Sequence, residues 1–80
     1  MPFTVVWLPA ALRQLADIWN NATDRNAVTR AAGRVDVILR FDPETKGVDF
    51  YGDLLLAVPP LHIVYHVLAD DMQVEVLQVW

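Results

Sequence analysis

The 80-residue chain contains no cysteine and no serine. Without cysteine there can be no disulfide and no thiolate metal site, which is compatible with a reducing compartment. The two absences together remove the commonest side-chain nucleophiles and most familiar triads. Gly33, Gly47 and Gly52 are the only glycines and stand apart, so no Gly-rich phosphate loop is present. No apolar run approaches the roughly 18 residues of a membrane span. The opening Met1-Pro2-Phe3-Thr4 has neither the basic segment nor the apolar stretch of a signal peptide. The expectation is a single cytoplasmic domain, residues 1–80, with no membrane, no cofactor and no metal.

Cations are scarce and confined to one half. Arg13, Arg25, Arg30, Arg34, Arg40 and Lys46 all precede residue 48, beside Asp17, Asp24, Asp36, Asp42 and Glu44. Residues 48–80 carry Asp49, Asp53, Asp70, Asp71 and Glu75 and no Lys or Arg. Nucleic-acid binding draws most of its affinity from cations facing phosphate, and this half has none to offer. Arg25, Arg30 and Arg34 read as a solvated helix face.

Apolar residues are abundant, at 55% of the chain. A domain this small buries only about 60% of its unfolded surface, so its core is thin and association is the expected supplement. Phe3 to Leu8 is β-branched and aromatic between two prolines, which predicts a strand, apolar on both faces and therefore covered on both. Pro9 suits the first turn of a helix whose stripe is Leu12, Leu15, Ala16 and Trp19, ending near Asn20-Asn21. Thr23 or Asp24 caps a second helix with the stripe Val28, Ala31, Ala32, Val35, Ile38 and Leu39, stopped by Asp42-Pro43. Ala27, Ala31, Ala32 and Gly33 would let the two helices approach closely.

Residues 43–53 read as a loop. Leu54–Val58 and Leu61–Leu68 read as strands separated by Pro59-Pro60, and Ala69-Asp70-Asp71 as a hairpin turn. In the last strand, Met72–Val79, the apolar alternation changes phase at Leu77 and Val79, which predicts a bulge or cover on both faces. The order is β-α-α-β-β-β: a two-layer α+β fold with a helical hairpin on a mainly antiparallel sheet.

Few residues carry chemistry. His62 and His66 share one strand face but stand roughly 13 Å apart, too far for one zinc ion. They read as partly exposed residues on the face away from the helices. Asp70-Asp71 is turn chemistry. Asp49 and Asp53 flank Tyr51 as a possible carboxylate pair. Trp7, Trp19 and Trp80 are core or interface residues, and Lys46, the sole lysine, is a loop charge.

Phe3-Thr4-Val5-Val6-Trp7-Leu8-Pro9-Ala10-Ala11, followed by Leu12-Arg13-Gln14-Leu15-Ala16-Asp17-Ile18-Trp19, resembles the RelE/ParE toxins of bacterial type II toxin–antitoxin modules. Asp42-Pro43 with Gly47, the strand Pro60 to Val67, and the closing hairpin Asp70 to Val79 extend the resemblance over nearly the whole chain. It implies a plasmid-stabilisation type of toxin held inactive by a cognate antitoxin, with the ribosome and its mRNA, or gyrase, as target. In the mRNA-cleaving branch basic residues stabilise the phosphate charge, as that chemistry requires.

This sequence departs from that set. The strand Arg is matched by His62, no cation stands near Asp53-Leu54-Leu55, and the chain reaches Trp80 without a basic C-terminal extension. Lys46 and His62 are the remaining candidate catalytic residues. The expected function is therefore a toxin component, or degenerate homologue, acting through protein binding rather than catalysis. A ribosome-dependent mRNA endoribonuclease and an inactive stand-alone interaction domain are the alternatives. The apolar surplus would be covered by the antitoxin or by a second copy in a homodimer.

Overall fold

The computed structural model describes residues 2–80. Five strands and two helices follow in the order β1 (Thr4–Trp7), α1 (Pro9–Asn21), α2 (Arg25–Leu39), β2 (Val48–Phe50), β3 (Asp53–Val58), β4 (Leu61–Leu68) and β5 (Gln73–Val79). Short 3-10 turns span Pro43–Thr45 and Ala69–Asp71. The strands form one sheet in the order β1-β5-β4-β3-β2, antiparallel except for the parallel β1–β5 pair. The helical hairpin covers one face. No helix among the described residues is long and apolar enough to cross a membrane.

One strand was not foreseen. Val48–Phe50 lies within the segment read as a loop and pairs with Asp53–Leu55 through a two-residue turn. That turn places Tyr51 at φ 52° and Gly52 at φ 92°. Two positive φ values in succession define the hairpin turn whose twist suits antiparallel strands. Asn-Gly or Asp-Gly would have announced it; Tyr-Gly does not. β1 also differs from expectation, because it is an edge strand with Val5, Val6 and Trp7 only half-buried.

The phase change in β5 is a bulge. Val64 faces Gln78 and Tyr65 faces Val76, leaving Leu77 without a partner. Val74, Val76 and Val79 are thereby all turned into the core, where none is more than 3% exposed. β1 has left the sheet by this point, since the Leu8 amide makes the last link to Val76. The Val79 amide, freed from a strand neighbour, donates instead to Gln14 Oε1 of α1 at 2.9 Å. Across the same edge, Trp7 Nε1 donates to Asp36 Oδ1 at 2.9 Å and ties β1 to α2.

Asp24 is the cap of α2; its Oδ1 accepts the Ala27 amide at 3.0 Å. Asp24→Ala is expected to cost about 1 kcal/mol, read as a lower melting temperature. An unchanged melting temperature would show the cap to be idle. Val28, Ala31, Val35 and Leu39 are the buried stripe of α2, and Ala11 meets them from α1. Gly33 plays no part in this approach, because its Cα faces open space. Arg25 is not simply solvated: it donates to the Trp19 and Asn20 carbonyls that end α1, and its guanidinium lies 4.6 Å from the centre of the Trp19 ring.

The stripe of α1 points elsewhere than expected. Ala11, Leu15 and Ile18 turn toward the core, while Leu12 is 51% exposed and Trp19 41%. The helix has its predicted amphipathic face, and half of it is left uncovered.

Candidate functional site

Two surfaces carry what the core leaves over. The first lies on the outside of the helical hairpin. Leu12, Leu15, Ala16 and Trp19 of α1 face Val28 and Ala32 of α2 across a groove of about 380 Å³.

The second is the sheet face opposite the helices. Strand register sorts its residues into rows, since directly paired residues share a face. One row is Phe50, Asp53, His66 and Glu75; the next is Val48, Leu55, Val64 and Gln78; the third is Ala57, His62 and Trp80. The outer rows are roughly 13 Å apart along the strands, yet the Phe50 and Trp80 rings approach to 6.4 Å. The two rings therefore lean toward each other over the middle row, where Val64 is 4% exposed. His62 stacks on Trp80 with ring centroids 5.8 Å apart.

Both histidines are exposed on this face, as the sequence suggested. His66 Nδ1 lies 3.4 Å from Asp53 Oδ1. Asp53 thus meets His66, while Asp49, in register with Leu54, alternates to the other face; both still line one cavity of about 320 Å³ with Glu44 and His66. Lys46 is exposed at the end of the 43–45 turn. No hydrogen bond or ion pair joins it to His62 among the described residues, nor does any cluster of His, Asp and Glu there suit a metal ion. Asp70 and Asp71 lie in the 3-10 turn between β4 and β5.

What sequence reasoning missed is the lock behind this face. The fully buried Tyr65 of β4 donates its hydroxyl to the Pro43 carbonyl at 2.6 Å. Burial pushes the hydroxyl pKa up to about 12 against a partial lowering by a backbone hydrogen bond from Gly47. This bond fastens the 43–47 segment over β3 and β4 and so positions β2 and its turn. The signal was the lone Tyr among aliphatic residues on the buried face of β4, which needs a partner for its hydroxyl.

No family model and no curated protein matches the sequence. Solved structures do match. A chain of the toxin–antitoxin complex RelBE2 from Mycobacterium tuberculosis has a TM-score of 0.80 at 17% identity, over 100% of this chain and 91% of that one. A chain of the chromosomal ParDE system from P. aeruginosa has a TM-score of 0.72 at 14% identity, over 96% and 92%. The chain has a RelE/ParE-like toxin fold. At these identities the likeness is one of architecture. Within the RelE/ParE-like fold, this chain's open sheet face carries histidine, carboxylate and aromatic groups and no Lys or Arg from β2 onward.

Proposed function

We propose that the chain is the toxin-type component of a cytoplasmic toxin–antitoxin pair, that it acts by binding protein, and that a cognate antitoxin neutralises it. The observation that carries this reading is the uncovered half of the α1 stripe. Leu12 and Trp19 stand over an apolar groove that the fold itself does not fill. An apolar groove between two helices suits the apolar ridge of a partner segment. The similar structures are of toxin–antitoxin complexes, which supports the same kind of partner.

The sheet face argues against catalysis as the main activity. Cleavage of RNA builds negative charge on phosphate, and preorganised cations are what stabilise it. His62 and Lys46 would have to serve alone.

Co-expression with the product of the adjacent gene is expected to yield a stable complex. Leu12→Asp and Trp19→Ala should each weaken it at least about tenfold, as for a central aromatic or aliphatic anchor. Leu12→Asp should leave the melting temperature of the isolated chain nearly unchanged, whereas Trp19→Ala, which also removes the ring beneath Arg25, should lower it slightly. Induction without the partner should arrest growth with transcripts intact. Cut transcripts that become intact in His62→Ala would instead establish the ribonuclease, and a monomer with neither partner nor toxicity would leave an inactive domain.

A further inference from the structure

We infer that the open sheet face is a second protein-binding surface, and that its occupant is an extended, arginine-bearing segment of a partner protein. The inference rests on the reading of this chain as a protein binder. It adds the surface opposite the helix groove and the chemistry of what lies there.

Three observations define the occupant. The face is apolar and aromatic at its centre, where Phe50 and Trp80 close over the middle row. Its Phe50 row crosses four strands with Asp53 and Glu75 on either side of His66, so both fixed charges on that row are negative. From β2 to the end of the sheet no cation offsets them. A second copy of the chain would bring like carboxylates into register, which is unfavourable. RNA would bring phosphates against them. A cationic peptide meets the opposite sign.

Arginine suits the site better than lysine. Its planar guanidinium pairs with carboxylates and lies flat on aromatic rings. The molecule already makes that contact internally, with Arg25 over Trp19. On the sheet side, the rings that leave most surface open are those of Trp80, 48% exposed though stacked on His62, and Tyr51, 93% exposed. Tyr51 stands in the turn at φ 52°, a region that costs a non-glycine residue energy. Within the fold the Tyr51 ring meets Phe50 edge-on at 4.9 Å, and the large remainder faces solvent, where a partner can reach it.

The test uses the isolated chain and short labelled peptides, so it does not depend on the helix groove or its partner. A peptide of alternating leucine and arginine should bind at least about tenfold more tightly than one with glutamate in place of arginine, at physiological salt. The double change D53N/E75Q should weaken this binding by about tenfold. The charge-matched D17N/D71N, away from that row, should change it by less than about twofold. Tyr51→Asn should weaken peptide binding severalfold while the melting temperature rises or holds, because asparagine tolerates the left-handed turn. A structural role for Tyr51 would give the reverse.

Equal binding of the arginine and glutamate peptides would overturn the inference. So would equal effects of the two charge variants, preferred binding of a uridine-rich RNA, or self-association lost in Trp80→Ala. Any of these would leave the antitoxin reading intact if Leu12→Asp still releases the co-expressed partner.

Discussion

Replacing Tyr65 with alanine is expected to destabilise the fold by about 3–5 kcal/mol, the usual cost of emptying a buried aromatic site. A domain of this size has roughly 4–12 kcal/mol to lose. The residue is fully buried in the middle of β4 and is the largest side chain in that state. Its loss also strands the Pro43 carbonyl that accepts its hydroxyl. Tyr65→Phe keeps the ring and removes only that bond, so its cost should be about 1–3 kcal/mol.

The hydroxyl's own contribution is read from pH, because the parent chain titrates there and Tyr65→Phe does not. The Tyr65 hydroxyl has its pKa raised from 10.0 to about 12 in the folded chain, chiefly by burial. Below pH 10 both folded and unfolded states keep the proton, and the contribution is fully present. Above it the unfolded chain releases the proton while the folded chain holds it, so stability falls as pH rises toward 12. The loss over that window should be about 2–3 kcal/mol. Denaturant titrations at successive pH values should show the fall in the parent chain and a smaller one in Tyr65→Phe. Parallel curves for the two would contradict the assignment.

Gly47→Ala should lower stability by about 1–3 kcal/mol, or about 5–20 °C in melting temperature. A Cβ there would lie 2.8 Å from the Leu55 carbonyl oxygen and 2.8 Å from the Tyr65 hydroxyl. The first belongs to the β3 backbone and the second is held by Pro43, so neither can move aside cheaply. Gly33→Ala is the matched control. That Cβ meets nothing within 4 Å, and alanine in mid-helix should stabilise by about 0.5–1 kcal/mol. Opposite signs for the two glycines are the expected result; a harmless Gly47→Ala would remove the close approach from the account.

The α+β layout and the bulge at Leu77 were legible because each rests on periodicity along a short stretch. Val74 and Val76 alternate, Val79 breaks the alternation, and one unpaired residue repairs it. β2 was not legible, because three residues carry no period and its turn uses Tyr-Gly. The α1 stripe was read correctly as amphipathic and wrongly as covered. Periodicity reports which residues share a face, and not whether another element packs on it.

The candidate site divides in the same way. The absence of cations after Lys46 is a property of the sequence alone, and it fixed the character of the open sheet face before any strand was placed. That His62 stacks on Trp80, that Asp53 meets His66, and that the Phe50 and Trp80 rings approach each other were decided only by strand register. Register joins residues far apart in the chain, and no local pattern encodes it. Composition settled what this protein lacks; the sheet settled which of its remaining groups stand together.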